Sequence, residues 1–108
     1  MNKRTLNKVY KICMLNGWTI YDDGGDWVDI RQASPAGEDF GFTVEKNNII
    51  NEIIEYAESF DAEEHATMWA QNMDTVAGVP QSLRTLLDDA DDIAQMLKEL
   101  AQAIKGEF

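Results

Sequence analysis

A chain of 108 residues with one cysteine, one histidine and two prolines is short of several kinds of chemistry at once. Cys13 alone closes no internal disulfide, and such cysteine usage reads as cytoplasmic. Zinc centres are built mainly on cysteine and histidine, and this chain has one of each, Cys13 and His65, far apart in sequence. Any Ser-His-Asp or Cys-His arrangement would have to use His65, yet no nucleophile elbow surrounds a serine, and Cys13 falls on an apolar helix stripe. His65 therefore reads as a half-packed side chain at a helix edge, and Cys13 as a small buried hydrophobe. No apolar run approaches eighteen residues, and the N-terminus lacks the apolar core of a signal peptide. Neither G-x-G-x-x-G nor G-x-x-x-x-G-K-[ST] occurs, so no phosphate cradle is indicated. Asp22, Asp23, Asp26 and Asp29 gather around Gly24-Gly25, but the spacing and final glutamate of a calcium loop are absent. The expectation is one domain without enzymatic activity, cofactor, metal or membrane contact.

Bases are also scarce: 9 against 20 acids, for a formal net charge of −11. The imbalance is uneven. Residues 1–17 hold Lys3, Arg4, Lys8 and Lys11 and no acid, so all 20 acids share residues 18–108 with only 5 bases. Such a chain repels nucleic acid and anionic membranes and attracts basic protein surfaces. Solubility alone is the competing reason for the acidity. The lysines of the first helix read as partners for the acidic remainder.

The chain nonetheless has a core, since 44% of its residues are hydrophobic. Thr5–Asn16 reads as a helix with Leu6, Val9, Tyr10 and Cys13 on one stripe, stopped at Asn16-Gly17. Alternation predicts strands over 18–22, 26–32 and 39–45. A three-residue loop Asp23-Gly24-Gly25 pairs Ile20 with Val28, Trp18 with Ile30 and Tyr21 with Trp27, which puts apolar residues together. A one-residue slip would turn every side chain to the other face. Thr19, Tyr21, Trp27, Asp29, Arg31 and Thr43 then face away from the helices. The next turn is Ser34-Pro35-Ala36-Gly37.

Asn47-Asn48 is the expected cap of a second helix with Ile49, Ile50, Ile53, Ile54 and Ala57 inward. Asp61-Ala62-Glu63-Glu64 resembles a capping box for a third, with Phe60 as staple and a stripe of Ala62, Ala66, Trp69 and Met73. Val76–Pro80 reads as a connector, and Pro80 and Ser82 as the next helix start. In the last helix, Ser82–Lys105, Leu83, Leu86, Ala90, Ile93, Leu97, Leu100 and Ile104 are spaced 3,4,3,4,3,4, with Leu87, Ala94 and Ala101 widening the stripe. The fold class is α+β: an α-β-β-β-α-α-α order, with a three-stranded antiparallel sheet, helices on one face and a long C-terminal helix.

On that last helix Asp88, Asp89, Asp91 and Asp92 take heptad positions f, g, b and c when Leu83 is a. All four read as turned from the apolar seam and too far along the helix to help its N-terminus. Glu52, Glu55 and Glu58, then Asp61, Glu63 and Glu64, continue the acidity. Carboxylates at this density approach the linear charge of duplex DNA, so they suit the cationic groove of a nucleic-acid-binding protein. Asp88, Asp89, Asp91 and Asp92, aided by Glu55, Glu58, Glu63 and Glu64, are the candidate binding residues. Exposed Tyr21 and Trp27 on the open sheet face are a second candidate surface.

The pattern FDxxEH…W and GVPxS…LLxDA within Phe60–Ile104 resembles a recurring C-terminal segment of small acidic proteins carried by phages and conjugative elements of gut Firmicutes. In composition, without a shared motif, the chain is also similar to antirestriction and anti-CRISPR inhibitors. These likenesses imply no established activity and carry over no functional residues. It is the placement of the last helix's carboxylates, off the seam and off the cap, that leads to the expectation of a cytoplasmic, stoichiometric inhibitor or modulator of a host-defence or nucleic-acid-binding protein. It would touch the protein and not the nucleic acid. The alternative is an adaptor of a mobile element, binding through the sheet face or as a homodimer.

Overall fold

The first helix, α1 (Lys3–Leu15), starts where Asn2 can cap it: the Asn2 side-chain oxygen accepts from the Thr5 N–H at 2.8 Å. It thus begins two residues before the expected Thr5. The structure is a computed structural model that describes residues 2–72 and 83–108, with the backbone alone at 70–72, 83 and 84. The Met73 end of the third stripe, the Val76–Pro80 connector, the Pro80/Ser82 helix start and the Leu83 side chain lie outside the described residues. Val9, Ile12 and Cys13 are the buried face of α1. Burial pushes the Cys13 thiol up to about 12, which keeps it protonated.

Gly17 ends α1. Its φ of 88° lies in the left-handed region, its N–H donates to the Met14 carbonyl at 3.1 Å, and the Trp18 N–H donates to the Cys13 carbonyl at 3.0 Å. This is a Schellman ending, and it drives Trp18 into the core beside Cys13.

Strands β1 (Thr19–Tyr21), β2 (Trp27–Ala33) and β3 (Asp39–Glu45) form an antiparallel sheet in that order. The first register differs from expectation. Thr19 pairs with Arg31, Ile20 with Ile30 and Tyr21 with Asp29, rather than Ile20 with Val28 and Tyr21 with Trp27. The loop therefore runs from Asp22 to Asp26. Asp22 is drawn out of the strand by its partners: it accepts from the Gly24 N–H and the Tyr10 hydroxyl, each at 2.9 Å, and pairs with Lys46. The shift is two residues, so every side chain keeps its predicted face. Val28, Ile30, Phe40, Phe42 and Val44 are buried inside, while Thr19, Tyr21, Trp27 and Thr43 are exposed outside.

The turn between β2 and β3 is the expected one. Gly37, at φ 95°, donates its N–H to the Ser34 carbonyl at 2.9 Å, and the Ser34 hydroxyl oxygen accepts from the Glu38 N–H at 2.9 Å.

A 3₁₀ turn (Lys46–Asn48) leads into α2 (Ile49–Ser59). Asn48 occupies the cap position but makes no side-chain capping bond. Instead the Glu52 carboxylate reaches back to the Glu45 N–H at 3.1 Å. Ile49 and Ile53 are fully buried. For α3 (Ala62–Asn72) the expected cap forms: Asp61 Oδ1 accepts from the Glu64 N–H at 3.1 Å, and Phe60 packs on His65 with ring centres 5.3 Å apart. α4 (Leu83–Glu107) is the longest element, and Leu86, Ala90, Ile93, Leu97, Leu100, Ala101 and Ile104 are its buried face.

The described residues thus give the predicted α+β order, with the helices on one side of the sheet. Ile93, Leu97, Leu100 and Ile104 meet the sheet, α1 and α2 in the main core. A second cluster of Ala66, Leu86 and Ala90, flanked by Ala62, Trp69 and Leu87, joins α3 to the N-terminal half of α4. Among the described residues no helix is long and apolar enough to cross a membrane.

Candidate functional site

The four aspartates of α4 divide. Asp88, Asp91 and Asp92 are exposed, and among the described residues none of them has a side-chain hydrogen bond or ion pair. At 100° per residue they share one solvent-facing sector of the helix. Asp89 does not belong with them: it is 8% exposed and serves the fold. Its Oδ2 accepts from the Ser34 hydroxyl at 2.7 Å and its Oδ1 from the Ala36 N–H at 2.9 Å, fastening α4 to the β2–β3 turn. The expectation that all four turn away from the core is corrected at this residue. Position g borders the seam, and Met96 and Ala103, also at g, are likewise partly buried.

Among the glutamates, Glu55, Glu63 and Glu64 are exposed as expected. Glu58 is exposed too, but Lys105 of α4 stands 2.9 Å from its carboxylate, so its charge is matched within the chain. Of the bases in α1, Lys8 pairs with Glu107 at 3.6 Å, and among the described residues the other three have no acidic partner.

His65 is half-buried, as read from the sequence, and it has a partner the sequence did not reveal. The Glu38 carboxylate lies 2.8 and 3.1 Å from its Nε2, and the imidazole packs between Phe40 and Phe60. A cavity of about 230 Å³ opens beside this pair, lined also by Trp69, Leu86 and Asp89. His65 and Asp89 thus clasp one turn from α3 and α4 respectively. The described residues of the FDxxEH…W and LLxDA patterns fall on this junction: Phe60 and Asp61 start α3, His65 and Asp89 hold the turn, and Trp69 packs between the helices.

Tyr21 and Trp27 are 58% and 54% exposed on the uncovered sheet face, as expected. Tyr21 is paired with Asp29 across the strands, and Trp27 lies two residues before Asp29 on the same face of β2, so the two residues are diagonal neighbours with Asp29 at the corner between them. Together with Asp22, Asp23 and Thr43 they line a shallow groove. On the same sheet face the Arg31 guanidinium stands 3.1 Å from Asp29 and 3.3 Å from Asp39. The Asp22 carboxyl is held down to about 2, first by Lys46, then by the Gly24 N–H and the Tyr10 hydroxyl.

A pKa lowered by folding means that Asp22 stabilises the native state above its unfolded value, near 3.8. That contribution is lost as pH falls from about 4 to about 2. The carboxyl ¹³C shift of Asp22 should titrate with a midpoint near 2. The stability gap between wild type and Asp22→Asn should be constant above pH 5 and shrink through this window.

Among the described residues no group of three or more His, Cys, Asp and Glu side chains is placed to hold a metal ion. Comparison with protein-family models, with curated proteins and with solved structures finds no match to this chain.

Proposed function

We propose that the chain is a non-catalytic, stoichiometric inhibitor or modulator that acts in the cytoplasm on a nucleic-acid-binding protein, host-defence nucleases included, by placing carboxylates in its cationic groove. The observation that supports this is the state of Asp88, Asp91 and Asp92: exposed, on one face of a rigid helix, and without a partner among the described residues. Neither core packing nor helix capping gains from them, and like charges at i,i+4 repel. Three charges over about 6 Å of helix axis approach the one per ~1.7 Å of duplex DNA. Glu55, Glu63 and Glu64 extend the negative field that steers a cationic partner.

The test keeps Asp89, which the fold uses, and replaces Asp88, Asp91 and Asp92 with asparagine. The immobilised chain is challenged with the heparin-binding fraction of a bacterial lysate and eluted in a salt gradient, with and without duplex DNA as competitor. Exposed ion pairs contribute about 0.2–1 kcal/mol each, so the triple variant should weaken capture by roughly three- to a hundredfold and flatten its salt dependence. Duplex DNA should displace what the wild type captures. Unchanged affinity and salt slope in the triple variant would overturn the reading.

The second reading, an adaptor that binds protein through the sheet face, is favoured by the exposure of Tyr21 and Trp27. It differs in expecting affinity that salt barely alters.

A further inference from the structure

We propose that the groove between Tyr21 and Trp27 receives an arginine side chain from the basic partner. This rests on the reading of the partner as basic and adds a specific point of contact away from the α4 carboxylates. The two rings are large, more than half exposed, and without a hydrogen bond or ring contact among the described residues. The other aromatics of the sheet are engaged in stacking or edge contacts within the core, such as Phe42 on Tyr56 at 4.5 Å.

The carboxylates beside the rings are only half used. Asp29 receives Arg31 on Oδ2, and Asp23 receives the Gly25 N–H on Oδ1, which leaves the second oxygen of each without a donor among the described residues. Asp22 is already satisfied by Tyr10, Gly24 and Lys46. The lining of the groove therefore combines two exposed aromatic rings with two carboxylates that each keep an oxygen without a donor among the described residues, a combination complementary to a flat cation. A guanidinium stacks on an indole while its in-plane N–H groups reach carboxylates, and it sheds water more readily than an ammonium. Arg31, which bridges Asp29 and Asp39 on the same face, shows that this surface accepts such a fork.

Hexa-arginine serves as the probe, titrated into the ¹⁵N-labelled full chain, with hexa-citrulline as its uncharged counterpart. The Trp27 indole N–H and the Tyr21 and Asp29 amides should shift and saturate with hexa-arginine and not with hexa-citrulline. Trp27→Ala should weaken binding about three- to thirtyfold, with the amide spectrum elsewhere unchanged because the ring is exposed. Trp27→Phe should restore most of the loss. Shifts confined to residues around Asp88–Asp92, with Trp27→Ala binding as wild type, would overturn the groove and leave the proposed function standing. Shifts at Trp27 that survive replacement of Asp88, Asp91 and Asp92 undiminished would sustain the groove against the α4 surface. Equal binding of hexa-citrulline, or no binding of either peptide, would overturn the groove outright.

Discussion

Replacing Asp89 with alanine should lower the unfolding free energy by about 2–3 kcal/mol, whereas replacing its neighbour Asp88 should change it by less than about 0.5 kcal/mol. The two residues are chemically identical and adjacent, so the contrast isolates what Asp89 touches. Its carboxylate accepts from the Ser34 hydroxyl and the Ala36 N–H while only 8% exposed. Hydrogen bonds to a charged acceptor contribute about 1.5–3 kcal/mol each, offset by the cost of burying the charge. Alanine leaves both donors without that acceptor. The adjacent cavity can admit water to them, which keeps the expected loss from being larger. Asn preserves the shape but has one acceptor oxygen in place of two, so Asp89→Asn should fall between Ala and wild type. Urea unfolding of the four proteins decides the matter: equal midpoints for the Asp88 and Asp89 alanine variants would remove the fastening role.

The largest loss should come from Trp18→Ala, at about 3–5 kcal/mol. Trp18 is 2% exposed and meets Phe40 and Phe42 edge-on, with ring centres 6.2 and 5.7 Å away. Its removal opens a void where α1, the sheet and the aromatic cluster meet. A domain of this size holds about 5–15 kcal/mol in total, so the variant should be near the edge of folding at 37 °C. Trp18→Phe should cost much less. Among the described residues the buried indole N–H has no acceptor, and phenylalanine removes that donor along with part of the ring. Thermal unfolding followed by near-ultraviolet circular dichroism gives the order; a Phe variant as unstable as Ala would mean that shape alone governs the site.

What the sequence made legible was periodicity. The 3,4 spacing from Leu86 onward marks the buried face of α4, and alternation assigns Val28, Ile30, Phe40, Phe42 and Val44 to the inner face of the sheet. What it hid was contact between distant residues. Alternation fixes the parity of a register and not its value, so Asp22–Asp26 could lengthen the first loop without moving any side chain across the sheet. The cause lies in Tyr10 and Lys46, far from the hairpin in sequence. Capping propensity pointed to Asn47-Asn48, while Asn48 makes no side-chain capping bond and a backward-reaching Glu52 accepts from the Glu45 N–H. For Asp89 a signal was present: a g position flanks the seam, and the Ser34–Gly37 turn presents donors in need of an acceptor. Pairing the two required knowing that residues 53 to 55 apart would meet. Glu58 and Lys105 escaped for the same reason. Tyr21 and Trp27 needed only face assignment, and the structure leaves both uncovered.

The fastening of the β2–β3 turn has a kinetic side. The Ser34–Asp89 bond spans 55 residues and the Glu38–His65 bond 27, so each closes a large loop of chain before it can form. The entropy of closing such loops is met only after the sheet and the α3–α4 pair are already in place. Interactions that form late contribute little to the transition state, so losing them speeds unfolding more than it slows folding. Loosening the clasp at this turn should therefore show as faster unfolding with little change in the folding rate, an expectation that stopped-flow unfolding of Asp89→Ala checks.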